Sequence, residues 1–268
     1  MDFKTIIFEK LDGIAMVTLN RPDKLNAIDN VMLLEIVKVI DDAREDDDIR
    51  VLIITGAGKA FSSGADVTAP VSGIDPKQPG INRPFKLEPF VSYGMVMKRL
   101  RDFHKPTIAA INGIVSGGAL SMACLCDIRI ASEAARFSAI FVRRALVADC
   151  GLSYTLPRIV GIENALELMW TGDIIDAKEA YRIGLVSKVE PHEELMVKAK
   201  ELADRFAKGP SVQIELMKKL VYDGLEANNF SASIAYEGWA QEMSLLTDDI
   251  KEATNAFLEK REPKFTGK

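Results

Sequence analysis

The sequence predicts an α/β fold, and three observations support that prediction. Segments rich in β-branched residues alternate with segments of helical periodicity, glycine loops follow the strand signals, and the final third of the chain is helical. The chain has 268 residues, of which 48% are hydrophobic and 27% charged, close to a globular average. We therefore expect one large core and no extensive disorder.

The strand signals lie mainly in the first half of the chain. Residues 6–10 and 13–20 predict a hairpin, and a helix is predicted after Asp29, a plausible N-cap. Further strands are predicted at 51–55, 107–111 and 127–131, with a helix at about 90–103 and a short helix that begins at Gly117-Gly118. Between Pro70 and Pro89 lie five of the 11 prolines, which predicts a loop that could act as a lid.

The C-terminal part predicts successive helices and few strands. The helices are expected at 163–171, 176–183, 192–207, 210–226, 230–246 and 248–260. We divide the chain into a core at 1–195 and a helical region at 196–268. Residues 211–220 and 234–245 contain more apolar positions than one buried helix face needs. We therefore expect these helices to contact either another subunit or other parts of the same chain.

Charge and cysteine content exclude several classes of protein. The net charge of -5 and the lack of a dense basic run argue against a nucleic-acid partner. An odd number of cysteines, Cys124, Cys126 and Cys150, fits reduced intracellular thiols and a cytoplasmic location. The first residues show no leader pattern and no apolar run is long enough to span a membrane, so we expect no membrane partner.

Three glycine loops follow predicted strands, at 56–66, 112–119 and 148–151. Loops at strand ends are where α/β proteins build their sites. Gly118 opens a helix whose first N–H groups are unpaired, which favours an anion. From spacing alone, the alternative is that these glycines only form tight turns, since neither a P-loop nor a complete dinucleotide motif is present. No metal cluster or nicotinamide motif is found, so we expect no separate cofactor.

Longer motifs carry a resemblance to a known family. They are IITG at 53–56, KAFSSGAD at 59–66, KPTIAAING at 105–113 and CDIRIA at 126–131, with NRP at 20–22, LPRIVG at 156–161 and FLEKREPKF at 257–265. The chain resembles the enoyl-CoA hydratase/isomerase (crotonase) superfamily over nearly its whole length except residues 70–89.

The resemblance implies a crotonase-like spiral of ββα units with a helical C-terminal region that forms homotrimers, usually paired into hexamers. It implies an acyl-CoA thioester substrate from fatty acid metabolism, with coenzyme A entering as part of that substrate. The N–H groups of Ala65 and Gly118 would form the oxyanion hole. The residues expected around coenzyme A are Lys24, Leu25, Ala27, Ser63, Asp66 and Val67. At Thr68 many relatives carry a lysine.

The catalytic groups differ from those of ordinary hydratases in the family. Their two glutamates are replaced by Ser121 and Phe141, and neither side chain can act as a carboxylate base. Asp149 stands where isomerases of the family carry their catalytic aspartate. One carboxylate suffices to move a proton from C2 to C4, so the resemblance favours an isomerase. We expect Asp149 to be buried beside Phe141; the alternative is that it only caps the following helix.

Other activities stay open at this point. A hydratase with unusual acid/base groups is one alternative, and a member that binds acyl-CoA without chemistry is another. Hydrolysis is weaker, because it needs a histidine and both His104 and His192 are expected to be surface or packing residues. Arg143 and Arg144 are expected in ion pairs, with recognition of an acidic substrate group as the alternative. Tyr154 is a candidate wall of the acyl pocket.

Overall fold

The computed structural model describes residues 3–66, 68, 93–226 and 229–268. The strands in chain order are β1 (Ile6–Leu11), β2 (Ile14–Leu19), β3 (Val51–Gly56), β4 (Ala60–Ser62), β5 (Thr107–Ile111), β6 (Ile114–Ser116), β7 (Ile128–Ser132), β8 (Arg136–Ser138), β9 (Ile175–Asp176) and β10 (Lys188–Glu190). The α-helices in chain order are α1 (Asn30–Glu45), α2 (Tyr93–Arg101), α3 (Gly118–Leu125), α4 (Leu152–Val160), α5 (Ile162–Thr171), α6 (Ala177–Arg182), α7 (Leu195–Ala207), α8 (Ser211–Glu226), α9 (Phe230–Leu245) and α10 (Asp248–Glu259). Short 3₁₀ helices cover Pro22–Lys24 and Ile140–Arg144.

Six strands form the larger sheet, in the order β1-β2-β3-β5-β7-β10. The predicted hairpin is present, because β1 and β2 pair antiparallel, and β2 then begins a parallel series that continues to β10. Every residue of β5 is buried, as expected for a parallel strand covered on both faces. This sheet confirms the predicted α/β class.

A second sheet has the order β4-β6-β8-β9. Each of its first three strands follows a strand of the larger sheet after a short turn, and β4, β6 and β8 pair parallel to one another. The chain thus repeats one strand in each sheet before it enters a helix, which is the predicted spiral of ββα units. The sequence analysis missed this sheet, because strands of two or three residues show no measurable periodicity. It also missed β10 after residue 161.

Helix α7 covers the outer face of the larger sheet. Its alanines Ala199 and Ala203 are fully buried against Ile53 of β3 and Ile108 of β5, so small side chains allow the helix to lie close to the strands. Helix α1 is part of the main core, and its predicted cap is confirmed, since Asp29 Oδ1 accepts the Met32 N–H at 2.9 Å. The proposed boundary at residues 195/196 falls at the start of α7 and stays a prediction.

Helices α8, α9 and α10 confirm the predicted helical C-terminal region. Within the described chain, α8 buries no residue completely and α9 buries only Ala240. The apolar surplus of these helices is therefore not absorbed by the single chain. The exposed apolar side chains in and next to these helices are Met217, Val221, Leu225, Phe230, Ile234, Trp239, Leu245, Leu246, Phe257 and Leu258. Residues 70–89, for which a loop was predicted, lie outside the described residues, as do residues 90–92 of the predicted helix at 90–103.

A polar cluster attaches α8 to the sheet. The Asp127 carboxylate accepts hydrogen bonds from Lys218 Nζ at 2.7 Å, from the Tyr222 hydroxyl at 2.7 Å and from the Thr107 N–H at 2.7 Å. Burial lowers the pKa of Lys218, while the neighbouring Asp127 raises it. The cluster satisfies charges that would be costly to bury unpaired.

We predict that Asp127→Asn destabilises the protein by about 2 kcal/mol, because it leaves the buried Lys218 ammonium without its counter-charge. Urea unfolding at pH 7 measures the change. Asp223→Asn is the matched control: it also removes a lysine partner, but the Lys219–Asp223 pair is exposed, so we expect less than about 0.5 kcal/mol. Equal losses in the two variants would contradict the structural role of Asp127.

Candidate active site

Two glycine loops meet at the ends of β4 and β6. Gly64 has a φ of 92°, and a Cβ added there would lie 2.7 Å from the Ser116 carbonyl oxygen and 3.6 Å from the Gly118 nitrogen. Only glycine permits both this left-handed backbone and this approach of one chain segment to another. The loop after β4 therefore packs directly on the start of α3.

The N–H groups of Ala65 and Gly118 lie in these two loops. The parallel bridge between Ala65 and Ile28 uses the Gly64 carbonyl and the Asp66 N–H, and so leaves the Ala65 N–H unused. Gly118 is the first residue of α3, where N–H groups have no partner within the helix. Among the described residues, neither group donates a hydrogen bond. Two free donors in adjoining loops can stabilise an oxygen that develops negative charge.

Buried Asn26 holds the loop of residues 20–28, called the first loop below, against the loop of residues 56–66, called the second loop. Its Nδ2 donates to the carbonyls of Ala57 and Ala60 at 2.9 and 2.7 Å, and its own φ of 55° is left-handed. The Ser63 N–H donates to the Leu25 carbonyl at 2.9 Å. The structure thus brings together the segments that contain Leu25, Ala27 and Ser63, three of the residues expected around coenzyme A.

Asp66 is engaged by its own neighbours. Its carboxylate accepts from the Thr68 hydroxyl at 2.6 Å and from Arg21 Nη2 at 2.9 Å, while Lys24 Nζ lies 3.5 Å away. These contacts, led by the Thr68 hydrogen bond, hold the pKa of Asp66 well below its usual range. Val67, also expected in this site, lies outside the described residues.

Arg21 is an organising residue that the sequence analysis did not single out. Its guanidinium joins Asp66 of the second loop to the Ala27 carbonyl of the first, at 2.9 and 2.5 Å. Its place in the NRP motif was the one signal that could have found it. The Lys24 side chain, in contrast, is about half exposed and free to reach a ligand.

The loop that carries Asp149 differs from the expectation in one respect. Asp149 is exposed in the chain, so the expected burial beside Phe141 is wrong. The physical reason is that Val142, Leu146 and Val147 on the preceding segment are themselves exposed and cannot cover it. The capping alternative is not observed either, because Gly151 caps α4 without any side-chain hydrogen bond. No lysine or arginine pairs with Asp149 in the described part of the chain.

Ser121 connects the Asp149 loop to the start of α3. Its hydroxyl is fully buried and lies 3.1 Å from the Asp149 carbonyl oxygen and 3.4 Å from the Gly117 carbonyl oxygen. The sequence analysis treated Ser121 only as the site of a missing glutamate. The structure gives it a positioning contact, since the same side chain bridges both loops. Phe141, at the other glutamate position, packs in the core.

Cys150 follows Asp149 with a left-handed φ of 56° and is half-buried. Burial, reinforced by the negative charge and hydrogen bond of the Asp149 carboxylate, raises the pKa of the Cys150 thiol well above its usual range. A thiol that resists ionisation is a poor nucleophile.

The two histidines have other partners. His104 Nε2 lies 3.7 Å from the Glu215 carboxylate, and burial lowers the pKa of His104 to about 4. His192 Nδ1 lies 3.1 Å from the Ser132 hydroxyl. Neither contacts Asp149 among the described residues, which removes the histidine that a hydrolytic mechanism needs. Arg143 pairs with Asp173, in agreement with the structural interpretation of that residue.

A cavity of about 350 Å³ opens beside this loop. Cys150 and Gly151 line it, together with Met97 of α2, Leu125 of α3 and Tyr154 of α4. The apolar part of its wall is suited to a hydrocarbon chain, and Asp149 adjoins the lining residue Cys150 in sequence.

Comparisons with known proteins agree with this architecture. The family model for enoyl-CoA hydratase/isomerase matches residues 9–268. A protein of Mycobacterium bovis named probable enoyl-CoA hydratase is 39% identical over 94% of this chain and 89% of its own length. The 1,2-epoxyphenylacetyl-CoA isomerase of Escherichia coli is 33% identical over 96% of both chains. The crystal structure of enoyl-CoA hydratase from Bacillus anthracis superposes with a TM-score of 0.89 at 31% identity, covering 99% of this chain and 100% of that one.

The chain belongs to the enoyl-CoA hydratase/isomerase family, and its fold matches the crotonase structures. The family includes proteins named for hydration and proteins named for isomerisation, so membership by itself does not select the reaction. Of the helices formed by the described residues, none is long and apolar enough to cross a membrane.

We predict that Gly64→Ala destabilises the protein by about 2 kcal/mol or more, because the new Cβ meets the Ser116 carbonyl oxygen in a left-handed backbone. The control is Gly224→Ala in α8, where a Cβ meets nothing within 4 Å; it should stabilise by about 0.5–1 kcal/mol. Urea unfolding of both variants checks the pair. A neutral Gly64→Ala would show that the two loops do not pack as described.

Proposed function

We propose that this protein is an enoyl-CoA isomerase in which Asp149 transfers a proton between C2 and C4 of a 3-enoyl thioester. The observation that carries the proposal is the Ser121 bridge, which ties the Asp149 loop to the helix that begins at Gly118. The Asp149 side chain is exposed and has no lysine or arginine partner among the described residues, so its carboxylate is accessible to a substrate. A base and two oxyanion donors on connected loops match the needs of an enolate intermediate.

The proposed reaction needs no group beyond these. The Asp149 carboxylate removes a proton from C2, and the negative charge moves to the thioester oxygen. The N–H groups of Ala65 and Gly118 stabilise that oxyanion, each donor contributing roughly 3 kcal/mol. Protonated Asp149 then returns the proton to C4, which leaves the double bond conjugated with the thioester. Water takes no part in the overall change.

The coenzyme A part of the substrate is proposed to lie along the first two loops. Lys24, Leu25, Ala27, Ser63 and Asp66 supply this surface, together with Val67 of the adjoining segment. Lys24 is the partly exposed cation of the group, suited to a phosphate, while Asp66 holds the loop through Arg21. Coenzyme A would enter as part of the substrate and not as a separate cofactor.

Hydration of a 2-enoyl-CoA is the second candidate, favoured by the names of several relatives. It would need an acid and a base at the two positions that here hold Ser121 and Phe141. Ser121 is buried among backbone carbonyls and Phe141 packs in the core, so neither can activate water. The isomerase proposal therefore has more support from the site itself.

The purified protein should be given a 3-enoyl-CoA and a 2-enoyl-CoA separately, with absorbance of the conjugated thioester followed and products identified by mass. We expect conjugation to appear from the 3-enoyl substrate without a change in mass. Loss of conjugation from the 2-enoyl substrate with the gain of one water would instead establish a hydratase.

Asp149→Asn should lower kcat for the 3-enoyl substrate by at least about 10²-fold, because the amide cannot accept the proton, while acyl-CoA affinity stays near that of the parent. Steady-state assays with the 3-enoyl substrate give kcat, and titration calorimetry gives the dissociation constant of the acyl-CoA. Asp173→Asn is the control, since this exposed aspartate pairs with Arg143 and should leave kcat unchanged. An active Asp149→Asn variant would refute Asp149 as the base.

We also propose that the chain assembles into trimers, alone or paired into hexamers, through the exposed apolar side chains of α8 and α9. Met217, Val221 and Trp239 are among those side chains, and burying them would remove apolar surface from water. Sedimentation equilibrium should give three or six times the chain mass of 29.5 kDa. A monomer at micromolar concentration would contradict the proposal.

A further inference from the structure

The cavity beside Asp149 contains a cation that the proposed isomerisation does not use. Besides its apolar residues, the cavity is lined by Lys98 and Arg101 of α2, Tyr154 of α4 and Glu226 at the end of α8. Lys98 pairs with Asp102, so Arg101 is the cation of the cavity without a close acid partner. A purely hydrocarbon acyl chain would have no use for a guanidinium in this position. The guanidinium in the cavity wall therefore indicates that the ligand carries a polar group there.

The Arg101 guanidinium stacks on aromatic rings and is not held by hydrogen bonds from its N–H groups. Its Cζ lies 3.6 Å from the centre of the Tyr222 ring and 5.9 Å from that of Tyr154, and the side chain is 20% exposed. Among the described residues the guanidinium donates no hydrogen bond, and its one ion pair, Nη2 to Glu226 Oε1, is 3.9 Å long. Five N–H donors in a fixed plane thus lack a close acceptor. The N–H groups along the edge of a guanidinium match a carboxylate, which accepts two N–H hydrogen bonds at once.

Glu226 shows where a carboxylate can sit. Its Oε1 accepts the Tyr154 hydroxyl at 3.0 Å and faces Arg101 at the longer distance. The Glu226 side chain is 61% exposed, and a partly solvated pair at 3.9 Å contributes little to stability. A ligand carboxylate can therefore replace it at Tyr154 and come closer to Arg101.

We propose that the preferred acyl group carries a carboxylate at the end distant from the thioester, and that Arg101 and Tyr154 bind this carboxylate in place of Glu226. The inference rests on the proposed acyl-CoA function and specifies its substrate class as half-thioesters of dicarboxylic acids. Met97 and Leu125 contact the methylene chain between the two ends. Arg101 acts here as a specificity residue and takes no part in the proton transfer.

Binding to the whole protein tests this class without any need for turnover. Titration calorimetry with adipoyl-CoA and hexanoyl-CoA, and with suberoyl-CoA and octanoyl-CoA, compares a carboxylate with a methyl end at equal chain length. We expect the carboxylated ligand of at least one pair to bind about tenfold more tightly, as a charge-assisted pair of hydrogen bonds provides. Equal affinities, or tighter binding of the methyl-ended ligands in both pairs, would overturn the inference.

Three variants and one control variant show which residues produce the preference for a carboxylate. Arg101→Met should abolish the preference and leave hexanoyl-CoA affinity unchanged, whereas Arg101→Lys should keep part of it. Arg99→Met is the matched control, because Arg99 lies on the same helix, pairs with Asp41 and does not line the cavity. Glu226→Gln should tighten adipoyl-CoA binding, since it removes the competing charge. A preference that survives Arg101→Met would place the carboxylate elsewhere and overturn the assignment.

Failure of this inference and failure of the proposed function give different results. If both members of each pair bind equally, acyl-CoA binding stands and the substrate class is wrong. If adipoyl-CoA binds preferentially through Arg101 but no 3-enoyl substrate is isomerised, the substrate class stands and the reaction is wrong. If neither ligand of either pair binds, the inference fails together with the acyl-CoA site.

Discussion

The approach of Gly64 to the Ser116 carbonyl oxygen is the contact on which the rest of the site depends. It brings the end of β4 against the start of α3 at a distance that no side chain could share. Both loops follow strands of the smaller sheet, β4 and β6, whose parallel pairing holds their ends side by side. The pairing of two three-residue strands thus determines where two backbone N–H groups lie, and rigid sheet edges keep them there without any ligand.

A second layer of contacts extends this order outward. Asn26 connects the loop of residues 20–28 to strand β4, Arg21 connects that loop to Asp66, and Ser121 connects the start of α3 to the Asp149 loop. Each of these side chains forms hydrogen bonds with backbone groups or with a carboxylate. The result is a polar framework beneath the exposed Asp149 side chain.

Much of this could be predicted from the sequence, and the omissions have physical causes. Helix α1 was predicted because its apolar periodicity extends over 16 residues. Strand β5 was predicted from a continuous, largely apolar run of five residues. The smaller sheet was missed, since its strands are too short for any pattern. Asp149 was found through its motif, yet its exposure depends on how the segment before it packs, which one sequence does not reveal. Ser121 and Arg101 act through distant partners, Asp149 and Tyr222, and only the folded chain brings those pairs together.

The way in which α8 is attached to the rest of the chain affects the cavity beside Asp149. This helix is held to the body by directional polar contacts at Asp127 and by the Tyr222–Arg101 stack, with no side chain sunk completely into the core. A helix held in this way can separate as a unit at lower cost than one anchored by a buried apolar face. Glu226 ends α8 and lines the cavity, so a displacement of this helix would change the lining of the cavity. If the chain assembles through these helices as proposed, its assembly and its ligand binding would be thermodynamically linked.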